Sequence, residues 1–408
     1  MKLDEATVEI IKDSRGSETV LARVVSGDNW GEASVPSGRS RSSYEAYVLE
    51  PHIAQKRFLS EVKEKMLGRN FEHQDKFDNF LRRLDGTADK RRLGGNTTLA
   101  LSLAFARTAA RERGLELYEY INRIYRVGGQ AIPLSLPRLI FNLINGGKHA
   151  MGTDLSFQEF QVIPQHESVR EGVAAGRNLY KRLGEALRKQ FGKDNVELGD
   201  EAGYAVKFGS NERALAALKE AVREDAFRKR VSFDLGIDAA ANSFYDKDKG
   251  IYRVGREEMK AGELAKYYRH LAHKYGLMLI EDPFHEEAFA DFAGLNKTTG
   301  FYVVADDLTA TNLARTKIAV GNAAADAMIV KPNQAGTLTE TVEAARYAHR
   351  SGWQLIVSHR SGETEDDFIA DLAVGINAWG IKAGAPETAV RMAKYYRLEK
   401  IEKELEGK

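Results

Sequence analysis

In the carboxy-terminal part of the chain, short apolar runs rich in β-branched residues each end on an ionisable one. The run 231–237 leads to Asp238, 277–280 to Glu281, 302–305 to Asp306 and 327–330 to Lys331; 353–357 leads through Ser358 to His359, and 379–381 to Lys382. Runs of this length between polar stretches read as buried strands. The intervals from Glu281 to Asp306 and from Asp306 to Lys331 are equal, each suiting one strand plus one helix. In a closed parallel barrel all these strand ends open on one mouth, where the catalytic groups of such enzymes sit.

The amino-terminal pattern differs. Positions 6–11 and 19–25 gather β-formers around Asp13-Ser14-Arg15-Gly16, predicting a hairpin, and 29–35 adds a strand. Helical periodicity covers 44–67, 72–84 and 97–113, the last with Leu99, Leu103, Ala106 and Ala110 on one packing stripe. Gly128-Gly129 marks the boundary between a small α+β unit, residues 1–127, and an α/β barrel domain, residues 128–408.

A chain of 408 residues with 60 Lys plus Arg against 59 Asp plus Glu carries a net charge of +1, which argues against a nucleic-acid binder and against a polybasic membrane contact. No cysteine is present, so thiolate metal sites and Cys nucleophiles are excluded and carboxylates and His remain as metal ligands. The start, MKLDEATVEI, has no apolar signal core, and no long uncharged apolar run follows, so the expected location is the cytoplasm.

Three acids in register, Asp238, Glu281 and Asp306, repel one another unless a cation lies between them. All-oxygen ligation points to a hard ion, Mg²⁺ before Mn²⁺; the alternative is that each acid caps the next helix. Lys331, close to such a cation, loses its proton more readily and can act as a base; the alternative is a structural salt bridge to one of the acids. Glu159, between aromatic and apolar neighbours, and Glu201, in the loop 199–204, are candidate acids, with Asp200 an equal choice on sequence grounds. His149 lies on a glycine-bearing loop that either swings over the site or leaves it at the surface. The loop 358–367 offers His359, Arg360 and Ser361 to an anion at a helix start, unless Thr364 or Glu365 merely caps that helix. The serine-rich loop 37–43 is a linker or a lid.

The chain resembles the enolase family along nearly its whole length. The segments carrying the likeness are DSRG at 13–16, VPSG at 35–38, LDGT at 84–87, NGGKHA at 145–150, QEF at 158–160, GDEAGYA at 199–205, IEDPF at 280–284, ADDLTATN at 305–312, KPNQAGTLTET at 331–341, SHRSGETEDDFIADLAV at 358–374 and IKAGAP at 381–386. The resemblance implies a (β/α)8-type barrel whose second strand runs antiparallel, under an amino-terminal α+β capping domain. It implies Mg²⁺-dependent interconversion of 2-phospho-D-glycerate with phosphoenolpyruvate and water, a hydro-lyase reaction of glycolysis. Asp238, Glu281 and Asp306 match the tight Mg²⁺ ligands, Lys331 the base, Glu201 the acid with Glu159 beside it, and His149 and His359 the hydroxyl-side histidines. Arg360 and Ser361 match phosphate contacts, Lys382 a substrate contact countering developing charge, and Gln158 a contact near the carboxylate. Ser40 matches the lid serine that joins a second Mg²⁺, giving two per closed site, and the assembly implied is a homo-oligomer, dimer or octamer. The chain departs from the family pattern at Ser17 and Glu18, at Arg39, Arg41 and Ser42 in the lid, at Ala202, Ser243, Pro332 and Ala383, and at Thr388 and Val390, where subunit contacts normally fall. The alternatives are a paralogue acting on a different hydroxy acid and an inactive enolase-like binding protein.

Overall fold

The amino-terminal alternation forms the predicted hairpin: β1 (Glu5–Lys12) pairs antiparallel with β2 (Glu18–Ser26), and β3 (Asn29–Ser34) joins β2. The structure, a computed structural model, describes the chain apart from Ser40, Arg41, Val127, Gly128, Ala131, Met151, Arg230, Thr299 and Lys408, with backbone alone over 225–229. The expected boundary between units, at 127/128, therefore lies outside the described residues. The hairpin turn closes on Asp13, whose Oδ1 accepts the N–H groups of Arg15 at 2.9 Å and Ser17 at 3.0 Å.

Val8, Val20, Ala22 and Val24 form a buried face on this sheet, against which the helix Gly95–Glu112 packs. A single packing stripe was the expectation for that helix, yet every residue from Gly95 to Ala106 is buried. The reason is that the barrel covers its other side: Thr98 Oγ1 donates to Gly336 O at 2.8 Å, and Ser102 Oγ accepts the Leu338 N–H at 2.9 Å. The helix predicted over 44–67 starts only at Pro51, where proline is tolerated at the first position and the Glu50 carboxylate caps the His52 and Ile53 N–H groups at 3.1 and 2.8 Å. Residues ahead of Pro51 run between the two units, Ala46 N–H donating to Gln334 O at 2.8 Å and Tyr47 N–H to Asp89 O at 2.7 Å.

Eight strands close the barrel: β4 (Arg138–Asn145), β5 (Glu159–Pro164), β6 (Phe233–Asp238), β7 (Leu277–Glu281), β8 (Tyr302–Ala305), β9 (Ala327–Val330), β10 (Gln354–Ser358) and β11 (Gly380–Lys382). β5 is antiparallel to both neighbours, the other pairs are parallel, and β11 pairs with β4 to complete the ring. The antiparallel strand brings its amino end to the mouth that the other strands reach with their carboxyl ends.

Strand periodicity then decides what fills the interior. Ile140, Ile163, Leu279, Val304, Ile329 and Ile356 form a separate buried apolar layer inside the ring. Two residues further toward the mouth, on the same faces, stand Asn142, Gln161, Glu281, Asp306, Lys331 and Ser358. The sequence therefore turns an apolar plug into a charged layer within one strand repeat.

The capping unit is also tied to the barrel through Asp78, which accepts the Thr339 N–H at 2.8 Å, the Thr339 hydroxyl at 2.6 Å and Gln74 Nε2 at 3.0 Å. Burial pushes this carboxyl up to about 6, against hydrogen bonds from Thr339, Ser102 and Gln74. A folded value above the unfolded one means that the folded state holds the extra proton, so this group's contribution is full below about pH 4 and is lost as pH rises through about 6. In Asp78→Asn that slope disappears, and relative to the parent the variant's denaturation midpoint should rise between pH 4 and 6.5, by at most about 3 kcal/mol. A constant difference across the window would show that Asp78 is ionised throughout.

Candidate active site

The strand ends bring Asp238, Glu281, Asp306, Lys331 and Lys382 to one buried mouth, with Glu159 joining them because β5 is reversed. Lys382 is the central cation. Its Nζ lies 2.8 and 2.7 Å from the two Glu281 oxygens, 3.1 Å from Glu159 Oε2 and 3.7 Å from Asp238 Oδ2. Lys331 Nζ pairs with Asp306 Oδ2, while Asp306 Oδ1 accepts Gln334 Nε2 at 3.0 Å. Gln158 Nε2 donates to Asp238 Oδ2 at 3.1 Å.

The three acids are thus together at the mouth but not in mutual contact. Among the described residues, the buried trios whose ligand atoms lie within 4.8 Å of one another are His149, Glu159 and Glu201, and the partly covered Asp282, Asp306 and Asp307. Lysine ammonium groups take up the space between the expected ligands, because like charges in a low-dielectric site need a counter-charge. Two ammonium groups do not balance the set. Burial first, and then Glu281, holds the Asp238 carboxyl well above its ordinary range despite Lys382, and burial with Asp306 raises Glu281. The acceptors Asn142 Oδ1, Gln158 Oε1 and Gln161 Oε1 are buried without a hydrogen-bond partner. An oxygen-rich site short of positive charge fits a hard divalent cation.

Of the two expectations for Lys331, the protein groups by themselves give the salt bridge to one of the acids. Burial and the neighbouring Arg360 and Lys382 push its ammonium down, but Asp306 outweighs them and the net direction is up. With protein groups alone, the salt bridge prevails over the free base.

Glu201 lies in a tight loop where Gly199 N–H donates to Gly203 O at 2.8 Å and Ala202, at φ 63°, takes a left-handed conformation that costs a non-glycine residue about 1 kcal/mol. A Cβ on Gly203 would run into the Asn145 amide, which excludes larger residues there. Glu201 Oε2 accepts Asn142 Nδ2 at 2.8 Å; Oε1 lies 3.2 Å from His149 Nδ1 and 3.3 Å from His359 Nε2. His149 is therefore a buried partner of Glu201 and not a surface residue. Burial and Glu201 push Glu159 up to about 7, while for Glu201 the two histidines and Arg391 overcome burial and hold it low. Burial also pushes His359 well below the usual imidazole range. Of the two carboxyls, Glu159 is therefore the one that holds a proton more readily, while the resemblance gives the acid's part to Glu201 with Glu159 beside it.

At the start of the helix that follows the loop after β10, Asp366 accepts the Phe368 N–H at 2.9 Å and is itself held by Arg107. The cap is Asp366, not Thr364 or Glu365. Arg360 is turned toward the capping unit: its Nη1 lies 2.9 Å from both Glu45 Oε2 and Asn333 Oδ1, and Gly38 packs so closely on the guanidinium that a Cβ would collide with it. Ser361 Oγ accepts Arg39 N–H at 2.9 Å and Arg15 Nη1 at 3.2 Å.

The loop 37–43 is anchored at both ends. Ser37 and Gly362 exchange backbone hydrogen bonds at 2.8 and 2.9 Å, and Ser42 Oγ donates to Glu286 Oε2 at 2.6 Å. It is therefore not a free linker at its ends; Ser40 and Arg41 lie outside the described residues. Arg39 Nε stands 2.9 Å from Asp200 Oδ2 and its Nη1 3.4 Å from Lys148 O, so Asp200 is engaged in an ion pair with this loop. Sequence reasoning missed Glu45, Arg15 and Arg391. For Arg391 a signal existed: it and Lys394 are basic residues on the stripe that also carries Met392, Tyr395 and Leu398.

A family model described as "Enolase, C-terminal TIM barrel domain" matches residues 133–408, and one described as "Enolase, N-terminal domain" matches 4–121. The chain is similar to proteins named enolase from Methanocaldococcus jannaschii, 41% identical over 96% of this chain and 93% of that one, and from Thermococcus gammatolerans, 40% identical over 97% and 94%. A third, from Methanosarcina barkeri, is 39% identical over 99% and 95%.

If Arg39 ties the lid to the loop before Glu201, then Arg39→Ala should speed hydrogen exchange at the Arg39 amide severalfold, Asp200→Asn should do the same, and the double variant should add nothing further. Raised salt should move the parent in that direction, since Arg39 is partly exposed. Unchanged exchange in both single variants would reduce Arg39 to a solvated charge.

Proposed function

Since the chain belongs to the enolase family and is a phosphopyruvate hydratase, catalysing the reversible dehydration of 2-phospho-D-glycerate to phosphoenolpyruvate, we propose that Lys331 removes the C2 proton and that the Glu159–Glu201 pair protonates the departing C3 hydroxyl. The C2 hydrogen lies beside a carboxylate and is very weakly acidic, and its loss leaves a doubly charged aci-carboxylate. Stabilising that charge is the main catalytic task. The enzyme is Mg²⁺-dependent, as its family implies. Asp238, Glu281 and Asp306 would hold the ion, with Ser40 joining a second one when the lid is closed. Bound there, Mg²⁺ acts as a Lewis acid toward the substrate carboxylate.

The protein groups do the rest. Asp306, the carboxylate that retains the Lys331 proton, is one of the residues that would hold the ion, and the neighbouring Arg360 and Lys382 both favour the free amine of Lys331. Lys382 stays charged and meets the growing negative charge from the opposite side. Glu159 and Glu201 act as one unit with a single proton, which leaves with the hydroxide as water. His149 and His359 orient Glu201 toward that hydroxyl, and Gln158 contacts the substrate near its carboxylate. Arg360 and Ser361 take the phosphate, exchanging Glu45 and the Arg39 N–H for its oxygens.

The same reading makes residues 1–127 a cap that supplies the lid and 128–408 the catalytic barrel, in a cytoplasmic homo-oligomer, dimer or octamer. Among the described residues no helix is long and apolar enough to cross a membrane.

The observation that carries this proposal is the convergence of Asp238, Glu281, Asp306, Lys331, Lys382, Glu159 and Glu201 in one buried mouth. Mixing the protein with 2-phosphoglycerate and Mg²⁺ should give the ultraviolet absorbance of the enol product, abolished by chelator. Lys331→Ala should lower turnover by at least about a hundredfold while Mg²⁺ binding, followed by calorimetry, persists. Turnover equal to the parent's would remove Lys331 from the base role.

A further inference from the structure

Arg391, on the carboxy-terminal helix Ala389–Glu406, is among the largest fully buried side chains of the protein. None of its terminal contacts is a carboxylate. Nη1 meets His359 Nδ1 and donates to Arg360 O at 2.8 Å; Nη2 donates to Ser361 O at 2.7 Å and to Asp200 O at 3.0 Å. Two Nη groups carry four hydrogens, so every terminal donor is matched to an acceptor. Lysine, with three donors, would leave one of these buried acceptors unpaired.

The contact with His359 settles a question that ring geometry alone leaves open. A guanidinium only donates, so the Nδ1 atom facing it must be the bare, accepting nitrogen. The proton then sits on Nε2, whose nearest carboxylate oxygen is Glu201 Oε1 at 3.3 Å, close enough to receive it but without a formed hydrogen bond. We propose that Arg391 is a positioning residue for the dehydration, holding His359 as the Nε2–H tautomer so that it presents an N–H to Glu201. The same side chain fastens the backbone of Asp200, next to Glu201, to the backbone of Arg360 and Ser361. It thereby keeps the acid loop and the phosphate loop in register. Without it, His359 is free to present a lone pair to an ionised carboxylate, and Glu201 turns away or takes up a proton.

This inference rests on the reading above only in assigning Glu201 and His359 to the departing hydroxyl; the tautomer is measured without substrate. In protein labelled with ¹⁵N-histidine, and with His359→Gln identifying the resonance, the His359 ring should show a bare Nδ1 and a protonated Nε2 from pH 6 to 8. A protonated Nδ1 would overturn the proposal. Arg391→Lys should mix the two tautomers and lower kcat by about 10- to 100-fold, with KM within about threefold. In a His359→Gln background the same substitution should cost little further kcat. An undiminished cost there would mean that Arg391 serves only to hold the three carbonyls. Absence of turnover in the parent would sink the reaction assignment while leaving the tautomer result standing.

Discussion

The ion cluster around Lys382 is the constraint on which the rest of the molecule depends. One ammonium touches Glu281 and Glu159 and lies near Asp238, deep inside a ring whose next layer is wholly apolar. Burying such charges is costly, and removing one partner from a buried pair leaves an uncompensated charge worth about 3–5 kcal/mol. The cluster survives because each member arrives on a different strand in a register that cannot slip. A shift of one residue on β7 would exchange Glu281 for Ile280 inside the barrel and leave Lys382 without its shortest contacts. Hydrogen bonding of the sheet and electrostatics of the site are therefore one constraint.

Above that layer, segments remote in sequence meet at two residues. Ser361 receives the lid backbone and the hairpin's Arg15; Asp200 receives Arg39 and lies 3.8 Å from Arg15. Asp13, whose carboxylate shapes the hairpin turn, also accepts the Ser37 hydroxyl at 2.8 Å where the lid begins. A turn that looks purely local thus sets the height of the lid. The left-handed Ala202 stores strain beside Glu201, a place where strain persists only if the surroundings dictate the backbone. Tyr180 OH, donating to Ala202 O at 2.7 Å, and the Gly199–Gly203 closure supply that control.

Much of this was legible in the sequence for a physical reason: a strand has a period of two, so an apolar run ending in Asp, Glu or Lys fixes which face the charge joins. That logic placed Asp238, Glu281, Asp306, Lys331 and Lys382 without coordinates. It failed where partners are distant. The segment before Pro51 has helical periodicity but spends its hydrogen bonds on Gln334 and Asp89, and Arg360 was read as free for an anion when Glu45 already holds it. Arg391 could be noticed as a basic residue on an apolar helical stripe, but its role could not be read, because it lies in four acceptors contributed by three loop carbonyls and a histidine ring. The loop before Phe368 resembles an anion site by composition; only the structure reveals that Asp366 answers the helix's free N–H.

The expectation that a metal would simply fill a cage of three acids misses how the cage is built. Asp306 has two suitors, a cation and the Lys331 ammonium, so metal ligation and retention of the Lys331 proton are competing uses of one carboxylate. Two unit charges about 4 Å apart attract by about 4 kcal/mol at an effective dielectric of about 20, and about 1.4 kcal/mol is one pKa unit. Withdrawing that one counter-charge therefore lowers the hold on the Lys331 proton, with Arg360 and Lys382 pushing in the same direction. On this arithmetic the base need not be preset as a free amine. On the proposed roles it would be a charged structural partner of Asp306 for as long as that carboxylate is not given to an ion.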